Sequence, residues 1–322
     1  AEQDPRAYGR TLALLQQWPG NVRTGAMYHV LYAAVLQHNH AFDVALSHLD
    51  EALELEPGNG QALMIRAQIG LVTGDYALTQ DSCVRLRTAV RFPVFLNCQA
   101  QLDGVTGKGE QTLVLLQGTL NNSKLSLQDF LELKITAATI AHRLGRTEEA
   151  DRYYRAALLL DPLNSYALVH YGDLLLQSNR SAALVNLLST IPPGRVSTEL
   201  KILLAEALGA KGSQADELRS AAIVDELQAE FSAAYLRRDA FPHKEFARFS
   251  LSLSLQPEQA LEAAEENWQL QKEPSDTLLL ARAAAATNSV DVLDRLRDWI
   301  RLSGTEDVQL STLLSAADGQ LR

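Results

Sequence analysis

Cysteine, aromatic residues and positive charge are all scarce in this sequence of 322 residues. Two cysteines are too few for the multi-bridge framework that holds small secreted domains together. Aromatics at 6% argue against a sandwich or barrel, whose strands draw on aromatic and β-branched side chains. No apolar run reaches the roughly 20 residues of a spanning helix. The most apolar stretch, Leu278 to Ala286, is broken by Arg282. Basic side chains number 29 against 39 acidic, and a net charge of −10 lacks the electrostatic footprint of a nucleic-acid binder. With 47% hydrophobic and 21% charged residues the chain is still built to fold, and its Ala- and Leu-rich balance favours helices.

What is present is a beat. His40, Gly74, Gly107, Gly145, Asn179 and Gly212 each sit between two apolar-periodic runs, at intervals of 34, 33, 38, 34 and 33 residues. Seven residues before each lies a small residue: Ala33, Ala67, Ala100, Ala138, Gly172 and Ala205. Two independent markers keeping one period predict a repeat array. Each unit reads as a helix, a tight turn and a second antiparallel helix, with the small residue allowing close approach. The second helix carries its own apolar stripe, as in Phe42, Ala45, Leu49, Ala52 and Leu53 before Glu56-Pro57, or Ala150, Tyr154, Ala157, Leu158 and Leu160 before Asp161-Pro162. Pro disfavours helix at the residue before it and stops the element.

The period, the small residue on the first helix and the Ala…Phe/Tyr…Ala…Pro pattern on the second resemble the tetratricopeptide repeat (TPR) family. The match is strongest over His29–Pro57 and Leu133–Pro162 and extends over about residues 26–212. The resemblance implies an all-α, TPR-type α-solenoid, a right-handed superhelix of antiparallel helix pairs. Expected boundaries are an N-terminal capping helix within 1–25, opened by Asp4-Pro5 and ended by Trp18-Pro19-Gly20. Repeats follow at about 26–59, 60–92, 93–130, 131–164 and 165–197, with a sixth starting at 198. Residues 213–322 are read as degenerate TPR-like helices and a cap in the same continuous solenoid, a small C-terminal bundle being the alternative. Two helices per unit give about 18 helices.

The sequence offers no catalytic constellation. Gly104-x-x-Gly107-x-Gly109 lacks both the Gly-Lys-Ser/Thr ending and the preceding strand of a phosphate loop, and reads as a repeat turn. Neither Gly-x-Ser-x-Gly nor a cysteine with a base is present. Glu148-Glu149 and Glu265-Glu266 read as solvent faces, Arg237-Arg238 as cations at a helix end, and Trp268 and Trp299 as core. His29, His38, His40 and His48 fall within one repeat, but none forms an i,i+4 pair, so no metal site is expected. Non-enzymatic function without a cofactor is the expectation. Asn121-Asn122-Ser123 and Asn179-Arg180-Ser181 fit the glycosylation pattern, but Arg outnumbers Lys 22 to 7, which suggests a bacterial source where such sequons mean little.

Cys83 falls on a second helix and Cys98 on the first helix of the next unit, where a bridge and two reduced buried thiols fit equally well. The Cys83…Cys98 pair, Arg248-Phe249-x-Leu-x-Leu and Asn267-Trp268-x-x-Gln271-Lys272-Glu273-Pro274 look like a group of exported bacterial TPR proteins that brings no activity with it. That resemblance implies a disulfide and a periplasmic or secreted location, with the cytoplasm as the alternative. The start at Ala1, without Met, is compatible with a removed leader.

In TPR proteins the first helix of each pair lines the concave face. The resemblance and the 3.6-residue period therefore point inward Met27, Val30, Gln37, Gln61, Met64, Gln68, Asn97 and Gln101, then Glu132, Ile135, Tyr166, Val169, Asp173, Ile202 and Glu206. The 24 inward positions hold no Lys or Arg, and Glu132, Asp173, Glu199 and Glu206 are acidic. TPR adaptors that grip acidic chaperone tails use cations here, so that role is not expected. The groove should instead bind a protein or peptide segment that is apolar with basic residues at one end. Tyr166→Ala and Glu206→Lys are then expected to weaken binding without unfolding. An accessory or assembly factor of an envelope complex, also binding a small molecule or metal, is the alternative.

Overall fold

The computed structural model describes residues 5–20, 22–121, 124–237 and 241–320. Asp4, Asn122, Ser123 and Arg238 lie outside the described residues. Among the described residues there are 18 α-helices, one short 3₁₀ turn and no strand. The chain divides into two compact units, Ala1–Leu102 and Asp103–Arg322.

The first unit contains α1 (Pro5–Gln16), α2 (Ala26–His38), α3 (Phe42–Leu55), α4 (Gly60–Thr73), α5 (Tyr76–Ala89) and most of α6 (Phe92–Val105). Its core joins Val30 and Ala33 of α2 to Phe42, Ala45, Leu49, Ala52 and Leu53 of α3 and to Ala62, Leu63 and Ile69 of α4. Asn59 and Asp75 begin α4 and α5 by accepting hydrogen bonds from the Ala62 and Leu78 backbone N–H groups, satisfying donors that have no partner inside the helix. A disulfide joins Cys83 of α5 to Cys98 of α6, with Cα atoms 5.7 Å apart.

The second unit continues with α7 (Gly109–Leu120), α8 (Leu127–Arg143), α9 (Thr147–Leu160), α10 (Ser165–Gln177), α11 (Ser181–Ser189) and α12 (Thr198–Lys211). Then come α13 (Gln214–Arg237), α14 (His243–Ser252), α15 (Pro257–Leu270), α16 (Pro274–Ala286), α17 (Val290–Ser303) and α18 (Val308–Gln320). The C-terminal helices form one core in which Ala247, Ala260, Ala264, Leu280, Ala284, Leu293, Leu296 and Leu310 are buried. Along α13, Leu227 and Phe231 are buried, but Leu218 and Tyr235 are exposed. The 24 residues of α13 span about 36 Å, while the 14 residues of α12, its antiparallel neighbour, span about 21 Å, so the C-terminal end of α13 runs past that cover.

The beat has a backbone cause. All six turn residues have positive φ: His40 58°, Gly74 78°, Gly107 80°, Gly145 73°, Asn179 56° and Gly212 67°. A left-handed residue ends the first helix and reverses the chain into the second. Leu255, Asn288 and Gly304 do the same in the C-terminal helices, at φ of 54°, 55° and 70°. The small residues lie where the helices touch. Ala33, Ala138 and Ala205 are wholly buried, and a Cβ added to Gly172 would meet Leu203 Cδ1 at 2.9 Å. Ala138→Leu is therefore expected to cost about 1–3 kcal/mol by overpacking, measured as a lowered midpoint in urea. An unchanged midpoint would show that Ala138 is not a close-contact point.

Candidate functional site

On the first unit, the helix period divides the expected inward positions into two classes. Val30 is only 1% exposed and belongs to the core. Met27, Gln61, Met64 and Gln68 are exposed, while Gln37, Asn97 and Gln101 are half-buried. All seven are uncharged. Their amides can both donate to and accept from a peptide main chain, and flexible methionine side chains adapt to varied apolar partners.

On the second unit the expected face is largely consumed by the chain itself. Ile135 and Ile202 are buried, the latter completely. Tyr166 is half-exposed, stacked on His170 with ring centres 4.2 Å apart, and Val169 is half-buried. Glu132 accepts a hydrogen bond from Gln128 at 2.7 Å, and burial pushes its pKa up. Asp173 and Glu206 face a cation from the same unit. The Arg248 guanidinium of α14 reaches Asp173 Oδ1 at 2.8 Å and donates to both Glu206 oxygens, at 3.0 and 2.6 Å. Ser252 adds a hydrogen bond to Glu206 at 2.6 Å. Burial raises the Asp173 pKa, but Arg248 and then His170 outweigh it and hold the carboxyl below its ordinary range. Beside them, Lys244 lies 3.0 Å from Asp276 and 4.0 Å from Glu273, the two residues of the capping box that starts α16.

Arg248, between Phe246 and Phe249 on α14, thus already pairs with both Asp173 and Glu206 within the chain. Glu206→Lys would set a second cation against Arg248, so it acts on folding before it acts on any partner.

The last helix also returns to the earlier repeats of this unit. Gln309 of α18 donates to Gln177 at 2.6 Å, and His142 shares that same oxygen at 2.6 Å. Glu306 accepts from the Gly109 backbone N–H at 3.3 Å, so the start of α7, in the glycine-rich turn, already holds a carboxylate. Between α8, α10, α16 and α18 remains a cavity of about 70 Å³, lined by Thr139, His142, Tyr166, His170, Asp173 and Glu273 among others.

Two arrangements escaped sequence reasoning. The first is an apolar cavity of about 670 Å³ lined by Phe231, Tyr235, Leu236, Phe241 and Phe246, with Glu262 and Glu266 among its polar residues. Its aromatic residues come from α13, α14 and the segment between them, and only packing brings them into one wall. The second is a convergence of His29 on α2 with His48 and Glu51 on α3. His29 Nδ1 lies 3.0 Å from His48 Nδ1 and 3.2 Å from Glu51 Oε2. Spacing along one helix does not reveal this convergence, because His29 meets His48 and Glu51 across an antiparallel pair. Burial, then His29, lowers the His48 pKa against an opposing pull from Glu51. His38 and His40 are not in this group and are exposed.

The tetratricopeptide repeat family profile matches residues 34–78 and 135–183. Among solved structures, PilW, described as a widely conserved type IV pilus biogenesis factor, is 15% identical with a TM-score of 0.51, covering 64% of this chain and 94% of its own. A tetratricopeptide repeat protein from Parabacteroides merdae is 15% identical with a TM-score of 0.43, covering 91% and 98%. The Cut9–Hcn1 hetero-tetramer structure of the APC/C is 13% identical with a TM-score of 0.49, covering 98% and 61%. No curated protein matches the chain. Residues 34–78 and 135–183 thus match tetratricopeptide repeats, and the described residues have an all-α, TPR-type fold. Among the described residues no helix is long and apolar enough to cross a membrane.

The polar cavity predicts a pH-dependent stability. Burial pushes the His170 pKa down to about 3, against an ordinary value of 6.5. The unfolded chain therefore takes up a proton below pH 6.5 that the folded chain refuses until about pH 3, and stability falls as pH drops through that window. Between pH 7 and 5, His170 is expected to account for about 1–2 kcal/mol of lost stability. Urea unfolding of the wild type and His170→Gln at both pH values reads the difference. Equal losses in the two proteins would contradict it.

Proposed function

We propose that the protein is a non-enzymatic interaction scaffold whose first unit binds an extended, predominantly apolar segment of a partner protein. The supporting observation is the contrast between the two inner faces. On the second unit, Asp173 and Glu206 are matched by Arg248. On the first, Met27, Gln61, Met64 and Gln68 are exposed and uncharged. Burial of the methionines would supply affinity, and the amides would pair with the partner's main chain, a division of roles familiar from peptide recognition. Tetratricopeptide repeats generally mediate protein–protein interaction, which supports the same class of function.

A second reading places this activity in assembly of a bacterial envelope complex. PilW, which shares the fold, is a pilus biogenesis factor, and the Cys83–Cys98 disulfide suits an oxidising compartment such as the periplasm. The scaffold reading does not depend on this placement.

Site-specific photocrosslinking tests the scaffold. A benzophenone side chain placed at Gln68 or Met64 is expected to capture one common protein in the native host. The same group at Leu159, 83% exposed on α9, should capture none of it. Met64→Arg should abolish capture from Gln68 while leaving the melting temperature unchanged. Equal capture from Leu159, or capture unaffected by Met64→Arg, would place the interface elsewhere.

A further inference from the structure

We infer that His29, His48 and Glu51 form a binding site for one divalent transition-metal ion of the zinc, cobalt or nickel class. His48 and Glu51 are three residues apart on α3, hence on one face, and His29 comes to them from α2. One ligand atom from each, two imidazole nitrogens and a carboxylate oxygen, lies within 4.8 Å of the others. A tetrahedral ion with bonds of about 2.0–2.1 Å holds its donor atoms about 3.3–3.4 Å apart. The separations of 3.0 Å between the Nδ1 atoms and 3.2 Å from His29 Nδ1 to Glu51 Oε2 are close to that spacing. Small side-chain adjustments would admit the ion.

Between the two neutral imidazoles the facing Nδ1 atoms share one proton, whereas a cation draws on a lone pair from each and on the solvent-facing Glu51 carboxylate. The rings are held in place before any ion arrives. Tyr28 meets His29 edge-on, with centres 5.5 Å apart and planes at 87°, and Tyr32 lies against His48 at 4.6 Å. Such support fixes ligand orientation in the way an outer shell does. The His29 side chain is 9% exposed and that of Glu51 55%, so the site is rooted in the core and open to solvent at the carboxylate. Imidazole with carboxylate selects zinc-like ions over calcium or magnesium, whose sites are built from oxygen. Three protein ligands leave a fourth position for water or for a side chain brought by a partner. A bound ion would clamp α2 to α3, the two helices of the first repeat, independently of the peptide-binding reading.

The test uses the untagged full chain, stripped with chelator and titrated with zinc by calorimetry, with metal content measured after dialysis. One ion per chain is expected, and cobalt in its place should give the intense visible absorption of a tetrahedral site. His48→Gln and, separately, Glu51→Gln should weaken zinc binding by at least about 10-fold, since even changes to outer partners cost 10–100-fold. Circular dichroism of each metal-free variant checks folding, and the exposed Glu51 carboxylate keeps one variant informative should His48→Gln disturb packing. The double variant His38→Gln/His40→Gln should retain one ion. No retained ion, wild-type affinity in Glu51→Gln, loss of the ion in the His38/His40 variant, or displacement by equimolar calcium would overturn the assignment.

Discussion

The second unit depends on how one guanidinium answers two carboxylates. Asp173 on α10 and Glu206 on α12 lie on helices that are packed together, and their side chains are only 21% and 14% exposed. Two partly buried negative charges so placed would repel and lose hydration. The planar fork of Arg248 offers enough donors to serve both, bidentate toward Glu206 and single toward Asp173. Lysine could supply the charge but not that geometry. With α14 fixed in this way, Lys244 on the same helix stands against Asp276 at the start of α16. From α18, Gln309 completes the polar contacts with His142 and Gln177.

The functional consequence is one of subtraction. Repeat helices present a row of side chains toward their concave face, and whatever the chain consumes internally is lost to a partner. On the second unit Asp173 and Glu206 are paired with Arg248, and Ile135 and Ile202 are core. On the first unit the row is neutral and in large part accessible. The Cys83–Cys98 bridge lies in this same unit. Closing a loop of 15 residues restricts the unfolded chain by about 3 kcal/mol in the entropic account.

The architecture was legible because its cause is local. A reversal after each first helix needs a left-handed residue, and Gly, Asn and His at a fixed interval mark it. The same reversal at Leu255 was not legible, because leucine rarely adopts positive φ and gives no compositional sign of it. Helical period groups positions of α2, α8 and α12 on one side, but which of them fall into the core depends on the neighbouring helix, as Val30, Ile135 and Ile202 show. The pairing of Glu206 with Arg248 spans 42 residues, and that of His29 with His48 spans 19. No spacing rule within one helix reaches such contacts; they follow from which helices become neighbours.

The central claim is that Arg248 and the acidic inner face are energetically coupled within the folded chain and are not held open for a partner. A double-mutant cycle measures this directly, comparing the stability to urea of Arg248→Met, Glu206→Gln, their combination and the wild type. A coupling energy of about 2 kcal/mol is expected, within the range for contacting charged networks, with each single change more damaging than the pair would suggest. A coupling below about 0.5 kcal/mol, the level of independent sites, would contradict it and return Asp173 and Glu206 to the surface available for binding.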